Sequence, residues 1–252
     1  MTCRNGFTVL EGLVVVAILA VLAALLLPAT RMGGRRAASR TQSKNHLKNH
    51  GLAAHNWQET HQGAAPPGGT VDAEGRPLHG WTTFLLPFVD EGPLFDRVDL
   101  DKPWDDAAQG DVFERSFALA EMPTLDRPDG RYPAIDYAAN ARVLPVRAVD
   151  AWEGEPVGDG PVMGVADGTS QTILFGEIVE GRPPWGRPGN LRDPIAGINV
   201  EGSADGFAGP WVGGCQFAFC DGSVRFLSET IDPAVLKALS TPAEGDDPGE
   251  DW

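Results

Sequence analysis

One carboxylate, Glu11, lies near the start of an otherwise apolar stretch that runs from Phe7 to Leu27. A charged carboxylate in a bilayer costs about 2.5 to 3.5 kcal/mol at a helix centre and less near an end, so it normally has a partner. Thr8 and Glu11 have the spacing of a capping box, in which both side chains bond free N–H groups at the start of their own helix. Alternatively, cleavage after Gly6 would leave a charged amine on Phe7, which Glu11 of a neighbouring copy would neutralise.

Five Asp-Gly pairs offer oxygen atoms to a cation; they begin at Asp129, Asp159, Asp167, Asp205 and Asp221. Tight turns select the same two residue types, and that explanation covers every pair. Calcium takes about six to eight oxygen ligands, and the sequence has no EF-hand spacing. Calcium in a head loop is therefore only the weaker alternative, and we predict no cofactor.

His46 and His50 stand one helical turn apart, a spacing that allows two imidazoles to bind one metal ion. No acidic or cysteine ligand follows at a matching spacing, so we expect these rings to pack at an interface and predict no metal site. All five histidines fall between residues 46 and 79, and the Gly-x-Ser-x-Gly turn of serine hydrolases is absent. A pair of catalytic carboxylates, as in glycosidases, is neither predicted nor excluded, because one sequence does not show which acidic residues lie close together in the fold. We predict no catalytic residues and a protein that is not an enzyme.

The stretch that carries Glu11 has the length of a membrane-spanning helix. Its 21 residues, from Phe7 to Leu27, give a helix of about 30 Å. The 16 uncharged residues that begin at Gly12 exceed the roughly 7 to 15 of a secretory signal peptide, although Leu27-Pro28-Ala29 leaves a cleavage site open. The sequence predicts a transmembrane helix over 7–28, kinked or loosened at its proline.

Gly6-Phe7-Thr8-Val9-Leu10-Glu11 followed by an apolar run resembles the N terminus of type IV prepilins and of the pseudopilins of type II secretion. The resemblance implies that a prepilin peptidase cuts after Gly6 and methylates the new amine of Phe7. It also implies that Glu11 guides each new subunit into a growing filament. Pro28 matches a proline that many pilins carry. The resemblance thus favours a partner for Glu11 on a neighbouring subunit.

Further motifs cover nearly the whole remaining chain: Arg40 to Asn45, Leu47-Lys48, Gly51 to Trp57, Trp81 to Pro87, Leu94 to Asp96, Val165 to Leu174, Gly176-Glu177, Pro184-Trp185 and Phe217 to Phe226. They resemble a large family of prepilin-like proteins of unknown function that is abundant in planctomycetes. Two residues depart from its pattern. The family usually has a histidine where this chain has Trp211, and many relatives have a cysteine in place of Ser43. No role is transferred to either position.

Charge is divided unevenly along the chain. Residues 1–50 hold seven Lys or Arg and one Glu, a net charge of +6, whereas the remainder holds 13 basic and 34 acidic residues, a net charge of −21. An acidic head repels the phosphate backbone of nucleic acids, so we expect no nucleic-acid partner. The basic residues behind the apolar stretch are placed to contact lipid head groups or a neighbour's acidic head; they are Arg31, Arg35, Arg36, Arg40, Lys44 and Lys48.

The basic cluster and the pilin resemblance predict opposite orientations. The positive-inside rule would keep the cluster in the cytoplasm. The resemblance places the head outside the inner membrane, and we follow it.

A helical period extends from Arg35 to His61. One third of its circumference should pack on the head and carries Ser43, His46, Leu47, His50, Ala54, Trp57 and His61. The opposite side is mostly polar and carries Lys44, Lys48, Leu52, His55 and Glu59, with Leu52 a candidate filament contact. We predict one long helix over about 8–62, whose first half is the anchor and whose second half is the spine of the head.

Residues 215–227 form the clearest local pattern of the head. Asp221-Gly222 suits a two-residue type I′ hairpin turn, which would place Phe219 opposite Val224 and Phe217 opposite Phe226. Those four apolar side chains should belong to the core.

The other elements of the head are less clearly marked. Trp81 to Val89 suggests a strand or a short helix that ends at its proline, 111–121 suggests a short helix, and 171–179 suggests a strand. Most of the five head tryptophans should lie in the core; they are Trp81, Trp104, Trp152, Trp185 and Trp211.

The three cysteines do not indicate a disulfide framework. Cys3 lies in the predicted leader. Cys215 and Cys220 are an odd number of residues apart, so on one strand they face opposite sides and cannot bridge locally.

We predict an α+β, pilin-like fold with one long N-terminal α-helix packed on a β-rich, loop-rich globular head. Its parts are a leader (1–6), a transmembrane and filament-core helix (7–28), an amphipathic continuation (29–62), the head (63–240) and an acidic disordered tail (241–252). Function follows from the resemblance. We expect a pseudopilin-like structural subunit of a type II secretion or type IV pilus-like assembly, processed at Gly6 and Phe7 by prepilin peptidase and assembled through Glu11 with other pilin-like subunits.

The predicted location is the inner membrane, crossed once, with the head on the periplasmic or outer side. The alternative function is a membrane-tethered ligand-binding or transport-associated protein that does not polymerise. An anchored hydrolase is a third, weaker option.

Overall fold

The computed structural model describes residues 9–26, 31–148 and 162–249. Within them the fold is α+β, as predicted, with helix at the N-terminal side and a head rich in β-strands. The chain divides into two compact units, Met1–Ala38 and Ser39–Trp252. Gly6, Phe7 and Pro28 lie outside the described residues, so the predictions made for them stay predictions.

The elements are as follows. The described helices are α1 (Val9–Leu26), α2 (Arg31–Thr60), α3 (Trp81–Leu85), α4 (Gly92–Phe95), α5 (Gly110–Phe113) and α6 (Pro233–Ala238). The described strands are β1 (Gly69–Val71), β2 (Pro77–Gly80), β3 (Tyr137–Asn140), β4 (Val146–Ala148), β5 (Ile173–Glu177), β6 (Leu191–Arg192), β7 (Gly214–Phe219) and β8 (Val224–Ser228). Short 3-10 turns link several of them.

Helix α1, in the first unit, contains 18 residues of the predicted transmembrane stretch and has Glu11 in its first turn. Many of its apolar side chains are open to the surroundings, with Leu10 72% and Val16 64% exposed. Across the described ranges, no helix combines the length and the apolar character needed to cross a membrane. The predicted span of 7–28 extends past α1 at both ends.

The second unit starts at Ser39 and includes the rest of α2. The face of α2 that was predicted to pack on the head is buried, with Leu47 and Ala54 inaccessible and Leu52, on the opposite side, 55% exposed. The helix ends at Thr60, and the N–H of Gly63, a residue with φ of 88°, bonds the carbonyl of Gln58 at 2.9 Å. The buried side of α2 is therefore the predicted one, whereas the continuity of one helix over 8–62 stays a prediction, because residues 27–30 lie outside the described residues.

A five-stranded sheet, in the order β6-β3-β5-β7-β8, forms the centre of the head. Its pairs are antiparallel except for β3 with β6, which are parallel. Neighbouring residues of β7 point into two different hydrophobic clusters. Ala218 belongs to the cluster that contains Leu47, and Phe217 belongs to the other cluster. A sheet covered on both faces needs near-continuous apolar strands, which β5 and β7 have.

The β7–β8 hairpin forms where predicted, but the predicted register is wrong by one residue. Phe217 pairs with Arg225 and not with Phe226. Phe219 is not paired with Val224, because its N–H bonds the carbonyl of Ser223 at 2.9 Å.

The geometry of the turn explains the shift. Only Gly222 of the Asp221-Gly222 pair has a positive φ, 79°, and its N–H bonds the carbonyl of Phe219 at 2.9 Å. That is a type I turn followed by a left-handed glycine, whereas a type I′ turn needs positive φ at both positions. The extra residue brings Leu227, instead of Phe226, into the cluster with Phe217.

Residues 81–88 take the helical alternative, as α3 followed by a 3-10 turn at Leu86–Phe88. Pro87 therefore lies inside the turn and not at the end of a helix. The segment 111–121 is only partly helical, in α5 and in a 3-10 turn at Ala118–Ala120. Cys215 and Cys220 are buried free thiols, as expected from their odd spacing.

The acidic tail was predicted to be disordered, but several residues of its described part, 241–249, form hydrogen bonds and ion pairs with the head. Asp167 accepts backbone N–H bonds from Glu244 at 2.8 Å and from the next residue at 3.0 Å. Lys237 lies 3.0 Å from Glu244 and 3.4 Å from Asp246. The composition of the tail suggested disorder because it does not reveal these cationic and carboxylate partners on the head.

Candidate functional site

Glu177 is the last residue of β5, a strand whose five residues are all buried, and its own exposed fraction is 0%. The neighbouring Gly176 packs directly against Phe207, since a Cβ at this position would lie 2.5 Å from the phenylalanine ring. The backbone therefore holds this carboxylate inside the head.

Four neutral groups donate hydrogen bonds to the Glu177 carboxylate. Trp211 Nε1 lies 2.9 Å from Oε1 and 2.8 Å from Oε2, and Ser43 Oγ lies 2.5 Å from Oε1. Gln216 donates twice, from its backbone N at 2.8 Å and from Nε2 at 2.9 Å. An ionised carboxylate has about four acceptor positions, so these donors saturate it.

A chain of hydroxyl and imidazole groups continues from Ser43. Because Ser43 donates to Glu177, its oxygen accepts from the hydroxyl of Tyr137, 3.1 Å away. Tyr137 Oη also lies 3.3 Å from Nδ1 of His46, and that nitrogen is 3.1 Å from the carbonyl oxygen of Glu121. A carbonyl only accepts, so Nδ1 of His46 carries a hydrogen.

Burial sets the protonation of the network. Burial raises the pKa of the Glu177 carboxyl, and hydrogen bonds from Ser43, Gln216 and Trp211 act in the opposite direction. Burial lowers the pKa of His50 to about 4, against a smaller opposing effect of its bond to the carbonyl of Leu119. The network therefore favours a neutral His50 at pH 7.

Both histidines that were weighed as metal ligands instead bond backbone carbonyls: His46 as described, and His50 through Nε2 to Leu119 at 2.9 Å. The ring of His50 packs on Trp81, with centroids 5.4 Å apart, and on Tyr137 at 5.3 Å. In the described part of the chain, no group of three or more His, Cys, Asp or Glu is arranged to hold a metal ion.

The arrangement fastens the spine helix to the sheet. Ser43 belongs to α2, Glu177 to β5 and Gln216 to β7, and Nε2 of Gln216 also donates to the carbonyl of Arg40 at 3.1 Å. A buried carboxylate whose acceptor positions are all filled holds the elements that carry its donors in one arrangement. We call Glu177, Ser43, Trp211 and Gln216 the carboxylate clamp.

Sequence reasoning did not identify Glu177 as a site residue. Its signal was one acid in the apolar run from Ile173 to Ile178, the same kind of signal that drew attention to Glu11. The two positions that depart from the family pattern, Ser43 and Trp211, both bond this carboxylate.

A second candidate is an open cavity of about 410 Å³ at the C-terminal end of α2, lined by His55, Gln58, Glu59, Gly63 and Thr169. Thr169 follows one of the Asp-Gly pairs, and another pair also approaches this end, since a Cβ on Gly222 would lie 3.7 Å from Nε2 of His55. The lining can donate and accept hydrogen bonds, which suits a small polar molecule.

The Asp-Gly pairs at 167 and 221 have structural roles as turns. Gly168 has a φ of 110° and Gly222 one of 79°. The Asp221 carboxylate accepts from the N–H of Ser223 at 2.8 Å, and the Asp167 carboxylate binds the tail. The Asp159 pair lies outside the described residues.

Of the three residues predicted to take part in processing and assembly, the structure describes only Glu11. Glu11 is an exposed residue of α1, and Gly6 and Phe7 lie outside the described ranges. Their predicted roles stay predictions.

No curated protein and no solved structure matches the chain. One family, described as "Protein of unknown function (DUF1559)", matches residues 33–196 and 184–234. The matched segments extend over well more than half of the chain and include Ser43, Glu177 and Trp211. The chain therefore belongs to this family of unknown function, DUF1559.

Proposed function

We propose that the protein is a pseudopilin-like subunit of a type II secretion or type IV pilus-like assembly. It is processed after Gly6, held at the inner membrane, and assembled with other pilin-like subunits through its N-terminal helix. The observation that carries the proposal is α1, which has one acid, Glu11, in its first turn and exposed apolar side chains beyond it. A helix that is apolar on all sides is covered in use by lipid or by other apolar helices.

Electrostatics give Glu11 its assembly role. Removal of the leader creates a cationic amine on Phe7. Two unit charges about 4 Å apart attract by about 4 kcal/mol at an effective dielectric constant of about 20. That attraction is of the same size as the roughly 2.5 to 3.5 kcal/mol cost of a carboxylate at a helix centre in lipid, so it offsets much of the cost of the charge. A subunit that docks in register with its neighbour's amine is therefore favoured over one that does not.

The carboxylate clamp supports the same function. In a filament built from N-terminal helices, each head must keep a fixed position on its own helix. Within the second unit the clamp fixes the head on α2, because Ser43 of α2 is bonded to Glu177 of the central sheet at 2.5 Å. Displacing the helix would leave a buried carboxylate short of a donor, which costs about 1–3 kcal/mol or more for a charged group.

Mass spectrometry of the N terminus, on protein extracted from its native membrane, tests the processing step. We expect a chain that begins at Phe7 and carries one methyl group on its amine. A chain that retains Met1, or one that starts beyond Leu27, would refute the proposal.

Substitution of Glu11 tests the assembly step. Glu11→Ala and Glu11→Gln should both leave the protein in the membrane and abolish cross-linked ladders of copies, whereas Glu11→Asp, which keeps the charge, should retain them. Equal ladders in all three variants would show that the charge has no part in assembly.

The open cavity at His55 favours a second candidate, a membrane-tethered protein that binds a small polar ligand and does not polymerise. Cross-linking of the native membrane separates the two candidates. Ladders of homo-oligomers support assembly, whereas monomers alone support the tethered binding protein.

A further inference from the structure

The side of α2 that faces away from the head carries a short cationic strip. Lys44, Lys48 and Leu52 are spaced four residues apart, so they lie along one side of the helix, and all three are exposed. Among the described residues, neither lysine forms an ion pair. We call these three residues the lysine face.

A strongly acidic segment lies elsewhere in the same unit, at residues 90–106. It contains seven Asp or Glu and two Lys or Arg, so its net charge is −5. Asp90, Asp96, Asp101 and Asp105 are exposed, and none of them forms an ion pair with a described residue. The basic side chain of Lys102 is already paired with Asp99 at 2.7 Å.

We propose that the lysine face binds the acidic segment of a second copy of this chain. Each copy has a net charge of −15, so two copies repel one another in most orientations. The repulsion is relieved where a cationic surface of one copy meets an acidic surface of the other, and Leu52 adds apolar area at the end of the cationic strip.

This contact joins two different surfaces, so it is heterologous. A heterologous contact that does not close into a ring repeats as an open helical array. The inference rests on the proposed function, because assembly through N-terminal helices brings the heads of neighbouring copies side by side. It adds which surface of one head meets which surface of the next.

Zero-length carbodiimide coupling tests the contact, because it joins a lysine amine to a carboxylate only when the two touch. Full-length chains labelled with ¹⁴N and ¹⁵N are expressed together, and their native membranes are treated and digested. We expect mixed-isotope peptides that join Lys44 or Lys48 to an acid within 90–106. Coupling of both lysines only to carboxylates outside that segment, or to none, would overturn the inference.

Exchanging the charges of the lysine face and the acidic segment tests the same contact more sharply. Lys44→Glu with Lys48→Glu removes the amines that couple, so mixed-isotope links at this contact should be absent. Adding Asp96→Lys with Asp101→Lys to the same chain should restore links in the opposite sense, from positions 96 and 101 of one copy to positions 44 and 48 of the other, to within about threefold of the wild-type yield. The matched control makes the same change of charge at two exposed arginines elsewhere, Arg115→Glu with Arg187→Glu, and should keep the wild-type yield.

Failure of the exchanged chain to recover links would overturn the inference. The same samples report the proposed function separately, through the N terminus at Phe7 and cross-links from a Val14→Cys reporter in α1. Intact processing and α1 cross-links without the lysine links would reject the lysine face alone. Loss of processing would reject the proposed function.

Discussion

Lowering the pH from 7 to 5 should destabilise the head through His50. Burial lowers the pKa of this imidazole to about 4 in the folded chain, against an ordinary value of 6.5. The unfolded chain therefore takes up a proton before the folded chain does. A group with a depressed folded pKa stabilises the fold above its unfolded pKa, and that contribution is lost as the pH falls from about 6.5 to about 4.

The size of the loss follows from the two pKa values. The difference between the two pKa values corresponds to at most about 3 kcal/mol, and about 2 kcal/mol of it is lost by pH 5. The fold has no easy route to accept the proton. The ring is fully buried between Trp81 and Tyr137, and its Nε2 already faces the carbonyl of Leu119. A typical domain is stable by only about 5–15 kcal/mol, so this effect is measurable.

The assay compares urea unfolding of the wild-type chain and of His50→Gln, followed by tryptophan fluorescence, at pH 5, 6, 7 and 8. Glutamine can place an N–H near the carbonyl of Leu119 but does not titrate. We expect the variant to be less stable at pH 8, because it loses the ring packing, and the gap to shrink by about 2 kcal/mol at pH 5. His46, whose pKa burial also lowers, and Glu177, whose pKa burial raises, are present in both chains and cancel in the difference. A gap that stays constant from pH 8 to pH 5 would refute this account of His50.

Three further predictions concern the clamp and the hairpin, and each is measured as a change in the urea unfolding free energy. Glu177→Gln should cost about 1–3 kcal/mol at pH 7, because its amide N–H groups would face donors, whereas Glu180→Gln, at an exposed neighbouring position, should change stability by less than about 0.5 kcal/mol. Trp211→Phe should cost about 1–3 kcal/mol by removing the indole donor from both carboxylate oxygens, and no loss would show that the indole bond is dispensable. Gly222→Ala should cost roughly 1 kcal/mol through its positive φ alone, since a Cβ there would meet nothing closer than 3.7 Å.

Sequence periodicity predicted those parts of the fold in which one local pattern determines the structure. The buried face of α2, from Ser43 to Trp57, was predicted because a 3.6-residue period places those side chains on one side. The helix of residues 81–88 was only one of two alternatives, because a short apolar run fits a buried strand equally well. To predict the hairpin register, one would need to know whether φ of Asp221 is positive or negative. Aspartate can adopt both signs in a turn, so its residue type does not decide the register.

Long-range partners explain what the sequence did not predict. The acidic tail is held by Lys237 and Asp167, which lie beside it in the fold. The sequence of the tail itself contains no pattern that predicts these two partners. Glu177 was visible as an acid in an apolar run, but its donors come from positions 34 and 39 residues after it and from a helix 134 residues before it. Neutral donors from three separate elements leave no spacing motif, in contrast to a metal site or a catalytic turn.

The chain therefore contains the same pattern twice, a single acid in an apolar run, with different surroundings in each case. Around Glu177 the run is a five-residue strand, short enough for the head to cover on both faces and to supply four neutral donor groups. Around Glu11 the apolar run is 21 residues long, and the side chains of its described part are largely exposed. We predict that lipid or other helices cover this run, and a neighbour's helix is the one of these that can also bring a counter-charge. The contrast is that Glu177 is stabilised by donors of its own chain, whereas Glu11 is proposed to be stabilised by a charge of a neighbouring chain. If Glu11→Gln assembled as well as the wild-type chain, this contrast would be wrong, and Glu11 would be a helix cap.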